Sequence, residues 1–487
     1  MSERKRSILN KLREIVGKEY VSAEVEDCIA YSRDIARPLD EPRMPDYVVL
    51  PGTSEEVQAV VRLANKHKIP ITVAGQGTTM AGLTVPLKGG IVISTLRLDK
   101  LEINEDTMTA IVGAGVCMGK LKSEAEKKGL RAPIMGGPYA GTIAGNYVGG
   151  GVSNYNARFG FADRVITLEA ILPNGELIRT GSAAYMGQER SNPYFRQAYG
   201  PDLTGLFRQS FSVFGIITGL VFRLFPIGER EEYVDAGFND MSSFLRAMKR
   251  IERHDISSST HGCDKRNLAL ITIPDIELLK DPAEFQIYRS SLPEFCLCVE
   301  LSGTSEQVDV YRKIVEKIVS EEGGSFLKFT GAMEENYRDL VGGAGIRVNR
   351  MFYYAGRAVI NVLPMSRVVA ARERIIKICE KYNMKDPCTG EAFIPPMFIV
   401  PNDRGTIIYL EMDIHFAAAE NFNKLREFYK ESATVMSQEF DGSSMSLGPW
   451  FQSQLVPAYL QLVRSIKEAV DPNEIFTPDK MLKRKKE

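Results

Sequence analysis

Two hydrophobic periods divide the chain. Over the first 46 residues apolar positions recur three and four apart, predicting amphipathic helices at Arg6 to Val16 and Ala23 to Asp34, ahead of a Pro-rich run from Arg37 to Pro45. From Tyr47 short apolar blocks take over. Tyr47 to Leu50 predicts a strand, Thr53 and Glu56 stand at capping-box spacing, and Val57, Val60, Val61 and Ala64 line one face of the helix that follows. Further strands are predicted at Ile69 to Ala74 and Ile91 to Ser94, with a hairpin made by Leu101 to Ile103 and Thr107 to Val112. A charged helix, Met118 to Lys128, comes next. Leu168 to Leu172 and Glu176 to Thr180 flank Asn174-Gly175, a strong two-residue hairpin signal. A helical stretch from Leu203 to Ser210 precedes a strand at Leu220 to Phe225, and Pro226-Ile227-Gly228 marks a boundary.

Past residue 229 strands are followed by helices at long intervals. Tyr233 to Phe238 leads to Ser242 to Arg253, Phe295 to Leu301 to Ser305 to Glu321, Ala358 to Leu363 to Arg367 to Tyr382, and Ile407 to His415 to Glu420 to Phe440. With strand-like pieces between them, these units predict an antiparallel sheet covered by helices on one face, an α+β arrangement. A last helix, Ala458 to Val470, and the turn Asp471-Pro472-Asn473 close the chain. The expected organisation is an N-terminal helical segment (1–46), a ligand-binding domain (47–228), a cap or substrate domain (229–455), and a C-terminal helix and tail (456–487) that return to the ligand-binding domain.

Two glycine concentrations interrupt the ligand-binding domain. The first, Val73-Ala-Gly-Gln-Gly-Thr-Thr-Met-Ala-Gly82, follows a strand directly, as a backbone nest for anionic oxygens does; its spacing is not G-x-G-x-x-G, and Pro86 prevents a helix from opening cleanly after it. A plain turn is the other reading of these residues. The second places glycines at 136, 137, 141, 145, 149, 150 and 151. A packed core gains nothing from such a run, so together the two predict a long, phosphate-bearing ligand touched by main chain at several places.

Composition narrows the class. With 487 residues the chain is long enough for two or three domains, each with its own core. Its 61 basic and 62 acidic residues give no electrostatic case for nucleic acid. No run of about 18 apolar residues occurs, and the basic N-terminus leads into a charged helix instead of a signal-peptide core, so no membrane span and a cytosolic location are expected. The seven cysteines contain no C-x-x-C pair, and Cys296 and Cys298 alternate on one strand as buried thiols do. His67, His254, His261 and His415 lack metal-ligand spacing, so no metal site is expected.

Several segments resemble the vanillyl-alcohol oxidase and p-cresol methylhydroxylase superfamily of flavoproteins, to which the glycolate oxidase and D-lactate dehydrogenase flavoproteins are also related. The likeness covers nearly the whole chain. It is carried by Val49-Leu-Pro-Gly-Thr-Ser-Glu-Glu-Val57, Gly75-Gln-Gly-Thr78, Gly141-Thr-Ile-Ala-Gly-Asn146, Leu172-Pro-Asn-Gly-Glu-Leu-Ile-Arg-Thr-Gly181, Gly200 to Phe207, Gly215-Ile-Ile-Thr218 and Ala469 to Asn473. The resemblance implies a two-part FAD-binding domain of the PCMH type and an antiparallel-sheet cap. It also implies that Ala74, Gly75, Gln76, Gly77, Thr78, Thr79 and Met80 hold the FAD pyrophosphate. Pro138, Gly141, Thr142, Gly145, Asn146, Gly150, Gly151 and Ser153 would line the ribityl chain and ring, with Ile217 meeting the cofactor again. No His stands in the first loop, where some relatives attach FAD, so non-covalent FAD is expected, with a tyrosyl link through Tyr353 or Tyr354 as the alternative.

The branch is less uniform. Enzymes similar to glycolate oxidase usually carry Gly-Ser-Glu-Gly-Thr-Leu-Gly before the Ile-Ile-Thr and a His-rich metal motif in the cap; here the first reads Gln209-Ser-Phe-Ser-Val-Phe-Gly215 and the second is missing. Leu206-Phe-Arg-Gln-Ser210 and Ala358 to Met365 are nearer the phenol-oxidising branch. That branch places a Tyr-Arg pair before the C-terminal helix, where this chain has Ser444-Met-Ser-Leu-Gly-Pro-Trp450, so no phenolate pocket is carried over.

Flavin oxidation takes hydride from carbon and requires a group to accept a proton. His415, at the end of an acidic strand, is a candidate base tuned by Glu411 or Asp413, and a structural histidine is the alternative. Arg347, Arg350 and Arg357 cluster near Tyr353 and Tyr354 and offer an anion clamp, although surface charge also explains such residues. Tyr155 and Asn154 stand next to the second glycine run. The expected activity is hydride transfer from an alcohol or activated C–H of a small hydroxylated or aromatic molecule to flavin, with electrons passed to a partner protein or quinone. Oxidation of a 2-hydroxy acid, or a flavin-bearing electron-transfer subunit without its own substrate, are the alternatives. A homodimer through the cap is the family-level expectation.

Overall fold

Short Val/Ile blocks bounded by turns build the first sheets. The structure, a computed structural model, describes residues 2–33, 43–79, 82–134, 138–151, 164–185, 195–197, 199–273, 275, 277, 281–339, 355–386, 390–416, 422–444 and 455–482. Strands β1 (Val21–Ser22), β2 (Tyr47–Val49), β3 (Ile71–Ala74) and β4 (Ile91–Ser94) form one sheet in the order β1-β2-β4-β3, parallel except for the β1–β2 pair. The helix Ser54–His67 crosses between β2 and β3. Thr53 caps it by accepting the Glu56 N–H at 3.2 Å, and Val57, Val60, Val61 and Ala64 are all fully buried, as their spacing predicts. Each such valine contributes about 1.5–3 kcal/mol of transfer free energy at most.

The N-terminal helix Glu3–Val16 is packed into this unit. Ile8, Leu9, Leu12 and Val16 join the same core as the Ser54–His67 helix, and the Tyr47 hydroxyl donates to the Lys5 carbonyl at 3.0 Å. The second helix covers only Val25–Ala30 of the expected Ala23 to Asp34, because Glu24 is extended (φ −73°, ψ 146°) and Tyr31 leaves the helical conformation.

Strands β5 (Leu101–Asn104), β6 (Thr109–Gly113), β8 (Val165–Ile171), β9 (Leu177–Arg179) and β10 (Ile216–Arg223) make an antiparallel sheet ordered β5-β6-β10-β8-β9; β7 (Leu130–Arg131) pairs with β11 (Phe225–Pro226). The predicted helix from Leu203 to Ser210 stops at Leu206, since Gln209, Phe211 and Ser212 take left-handed φ values of 56°, 53° and 59°.

The larger sheet holds β12 (Arg230–Phe238), β13 (Ser257–Asp264), β14 (Phe295–Gly303), β15 (Ser325–Phe326), β16 (Ala355–Pro364), β17 (Met397–Asn402), β18 (Ile407–Phe416) and β19 (Ser443–Ser444), ordered β15-β12-β14-β13-β17-β18-β16-β19 with antiparallel neighbours. Alternation along the strands splits it into two faces. Leu297, Val299 and Leu301, with Ile408, Leu410 and Met412, meet the helices Met241–Glu252, Ser305–Glu321, Val368–Lys381 and Phe422–Glu439. The opposite face, carrying Cys263, Cys296, Cys298, Phe398 and Tyr409, packs on Lys265–Thr272, Pro282–Ser290 and Tyr337 of Ala332–Asp339. These latter helices interrupt the expected strand-like pieces between the strand-helix units.

The chain then returns to the first unit. Val463 of the helix Pro457–Val470 joins the N-terminal core with Ile475 and Phe476, and Phe476 bridges Ile71 in parallel at the edge of β3. Among the described residues no helix is long and apolar enough to cross a membrane.

Candidate functional site

The two glycine segments meet. β3 and β4 run parallel with Ala74 beside Ser94, so the loop after β3 leaves the sheet at its C-terminal end, where such units bind ligands. A Cβ on Gly75 would sit 2.7 Å from Thr142 Oγ1, and one on Gly141 would sit 3.1 Å from Thr78 Oγ1. Glycine at 75 is therefore a condition of this close approach, and a side chain at 141 would press on Thr78 and Met118. At Gly77 (φ +66°) the case is reversed: a Cβ there would meet nothing within 4 Å among the described residues.

The second segment is held by main chain and by one side chain. Met118 N–H donates to the Gly141 carbonyl at 2.8 Å, Gly119 N–H to Tyr139 at 2.9 Å, and Cys117 bridges Thr142. Thr142 caps the short helix Ile143–Gly149 by accepting the Gly145 N–H at 3.1 Å, which fixes the face Thr142 presents to Gly75. Gly150 ends the helix at φ +77°, and Gly151 N–H returns to the Asn146 carbonyl at 2.9 Å. Its last turn is closed from outside, by Gln209 N–H on the Tyr147 carbonyl and Phe211 N–H on Val148, each at 3.1 Å. The Tyr147 hydroxyl is buried against the Thr204 carbonyl at 2.9 Å, and burial pushes it up to about 12.

Ile217 is buried on β10 opposite Ala170; next to it Thr218 donates to Glu169 at 2.8 Å, as Ser54 does at 2.6 Å and Arg179 at 2.7 Å. Ser94, at the end of β4, is fully buried with no hydrogen-bond partner for its hydroxyl. An open cradle at Gly77 and an orphaned hydroxyl at the same sheet end fit a bound polar group such as the FAD pyrophosphate. Sequence reasoning passed over Ser94, because a serine at a strand end has no distinguishing pattern. Met80, Ser153, Asn154 and Tyr155 lie outside the described residues.

In the cap, β16 and β18 pair so that Gly356 stands opposite His415 and Ala355 opposite Phe416. The end of β18 is thereby brought beside the start of β16, which directly follows residues 347–354. Arg347, Arg350, Tyr353 and Tyr354 lie outside the described residues, as does the His415 side chain. Earlier on β18 the Tyr409 hydroxyl donates to Glu411 at 2.7 Å, and Asp413 is 6 % exposed.

The same sheet carries a polar network that the sequence did not announce. Arg131, on β7, donates to Glu300 at 2.5 Å and to Glu231, so a buried guanidinium joins the first unit to β12 and β14 of the second. Arg338 holds Asp235 at 2.6 Å, lies 3.5 Å from the Cys298 sulfur and 4.2 Å over the Tyr233 ring. His261 is fully buried beside Tyr337 and Phe398 with neither ring nitrogen hydrogen-bonded; burial, with the Arg338 charge adding, drives it down to about 3 and keeps it neutral. Burial likewise holds the Cys298 thiol far above its ordinary range. The only available signal was the period of Cys296 and Cys298, which reads as core. Among the described residues no group of three or more His, Cys, Asp or Glu could hold a metal ion.

Residues 45–181 match the family described as FAD binding domain. The chain is 30% identical over 455 residues to a D-lactate dehydrogenase of Anaerostipes hadrus, covering 90% of this chain and 89% of that protein. It is 24% identical over 490 residues to the glycolate oxidase subunit GlcD of Bacillus subtilis (strain 168), covering 98% and 97%. Its fold matches that of p-cresol methylhydroxylase in a substrate-bound crystal structure, with a TM-score of 0.84 at 19% identity over 99% of this chain and 98% of the other. With a glycine-built cradle in a domain that matches FAD-binding proteins, and relatives of full length that are flavin oxidoreductases, the chain belongs to the PCMH-type FAD flavoprotein superfamily and is an FAD-dependent oxidoreductase.

Proposed function

We propose that the enzyme oxidises the CH–OH or activated C–H of a small hydroxylated or aromatic molecule, and that electrons leave through a partner protein or quinone. The observation that carries the cofactor half of this reading is the contact of the two glycine segments at Gly75–Thr142 and Gly141–Thr78, beside the open space at Gly77. In the proposal, main chain from Ala74 to Met80 holds the pyrophosphate. Pro138, Gly141, Thr142, Gly145, Asn146, Gly150, Gly151 and Ser153 line the remainder, and Ile217 closes the site from β10. The FAD is non-covalent: free flavin in the supernatant after acid precipitation is expected, and colour kept in the pellet would instead favour a tyrosyl link.

Bound FAD supplies the hydride acceptor, at N5. This chain's own residues then have two tasks. His415 takes the substrate proton, with Glu411 and Asp413 raising the basicity of its ring, and Arg347, Arg350, Tyr354 and Tyr155 orient the substrate. The pairing of β16 with β18 supports this grouping, because it brings His415 level with the strand that residues 347–354 lead into.

The D-lactate dehydrogenase relative favours a second reading, oxidation of a 2-hydroxy acid with an arginine of the 347–350 segment on the carboxylate. Anaerobic mixing with a panel of 2-hydroxy acids, benzylic alcohols and para-alkylphenols separates them. Bleaching of the flavin absorbance by alcohols or phenols alone supports the first reading, and bleaching by hydroxy acids alone the second. A cytosolic homodimer joined through the cap completes the proposal; sedimentation of the holoprotein tests it.

A further inference from the structure

Both cofactor segments are tied, from behind, to one buried lysine. Lys467, on the helix Pro457–Val470, is 7 % exposed. Its ammonium donates to the Val213 carbonyl at 2.7 Å, to the Asp471 carboxylate at 2.5 Å and to the Phe476 carbonyl at 3.1 Å. Asp471 is fully buried and accepts the N–H groups of Ile475 at 3.1 Å and Phe476 at 2.9 Å, which fixes the turn that follows it.

From Phe476 the connection runs to the first glycine loop. Ile71 N–H donates to the Ile475 carbonyl at 2.7 Å and Thr477 N–H to the Ile71 carbonyl at 2.8 Å, which adds the tail to the edge of β3 just before Gly75. Beyond that loop the Lys480 ammonium donates to the Gly82 carbonyl, and Lys88 pairs with Asp479 at 2.9 Å. From Val213 it runs to the second. Residues 209–212 lead directly into Val213, and their N–H groups close the last turn of the helix Ile143–Gly149.

A buried ion pair contributes little net stability over an apolar pair of the same size, because desolvation offsets the attraction. What apolar side chains cannot do is hold carbonyls of two separate segments with three donors on one nitrogen. We infer that Lys467 is a positioning residue for the cofactor: it sets the spacing of the two glycine segments, and the tail 471–482 is part of what retains FAD. This rests on the reading of those segments as the FAD site.

The test compares FAD binding with folding in Lys467→Met, Lys467→Arg and Lys480→Met, with Arg372→Met, which breaks the Arg372–Asp264 pair of the cap, as a control. Apoprotein of each is titrated with FAD by flavin fluorescence, and melting is followed with and without FAD. Lys467→Met is expected to raise the FAD Kd at least about 10-fold and to shrink the FAD-induced rise in Tm, with partial recovery in Lys467→Arg. Lys480→Met should raise Kd about 3-fold, and Arg372→Met should lower both melting temperatures while leaving Kd unchanged. Equal loss of Tm with and without FAD in Lys467→Met, at a Kd within about twofold of wild type, would overturn the role. If Lys467→Met does not fold, an unchanged Kd in Lys480→Met overturns it. Wild-type apoprotein that takes up no FAD would overturn both the site and the role.

Discussion

The flavin-binding half and the cap place their chemistry in different parts of the residue. In the first, two glycine loops meet by close backbone approach: a Cβ on Gly75 would overlap Thr142, and one on Gly77 would meet nothing within 4 Å among the described residues. In the second, charged side chains are placed by strand position, with Glu411 and Asp413 on β18 and the Arg131–Glu300 and Arg338–Asp235 pairs reaching β14 and β12. A backbone site tolerates little change in residue type at its glycines, whereas a side-chain site depends on strand register. The two halves are therefore vulnerable to different substitutions.

Gly75→Val tests the backbone half. Its branches would overlap Thr142, so FAD affinity should fall about 100-fold while the cap stays folded, read as flavin content and Kd of the purified protein. Next is Arg131→Met, which leaves the buried Glu300 without its cation. Urea unfolding should show a loss of about 3–5 kcal/mol, and the double variant Arg131→Met/Glu300→Met should recover part of it.

The cap also holds a titrating group at the end of its first helix. Glu252 is 2 % exposed, accepts from Ser257 at 2.8 Å, and burial raises its carboxyl from 4.5 to about 7. The folded state therefore binds the proton more tightly than the unfolded state. Its contribution is complete below pH 4.5 and is lost as pH rises to about 7, a change on the order of 3 kcal/mol. Glu252→Gln should remove that slope from stability measured between pH 5 and 8, and an unchanged slope would count against the buried carboxyl as its source. The smallest effect belongs to Ser212→Gly. Ser212 sits at φ 59°, so relief of the left-handed strain by glycine should exceed the entropy cost and raise stability by about 0.5 kcal/mol, seen as a small rise in Tm.

How much of this was legible follows from the same contrast. The Ser54–His67 helix, its Thr53 cap and its buried face could be read from spacing alone, and the glycine runs marked two loops that the fold brings into contact. The sheet of the cap was legible as a class, but not its second face. Lys265–Thr272 begins with no break after β13, so its onset hides in what reads as a longer irregular piece. Ser94, Arg131 and His261 could not be found from sequence, since each is an ordinary residue whose role comes from a partner brought by topology. His415 could be named from its acidic strand, but not its neighbour in register, Gly356, which is distant in sequence.

The tail beside β3 has a consequence for the order in which the molecule can be made. Lys480 reaches a carbonyl 398 residues earlier, at Gly82, and Phe476 completes the edge of the strand that carries the first glycine loop. During synthesis the cap is translated between these two partners and can collapse on its own core while the earlier unit still lacks an edge. If the tail retains FAD, as inferred above, cofactor capture is expected to follow the synthesis of residues 471–482.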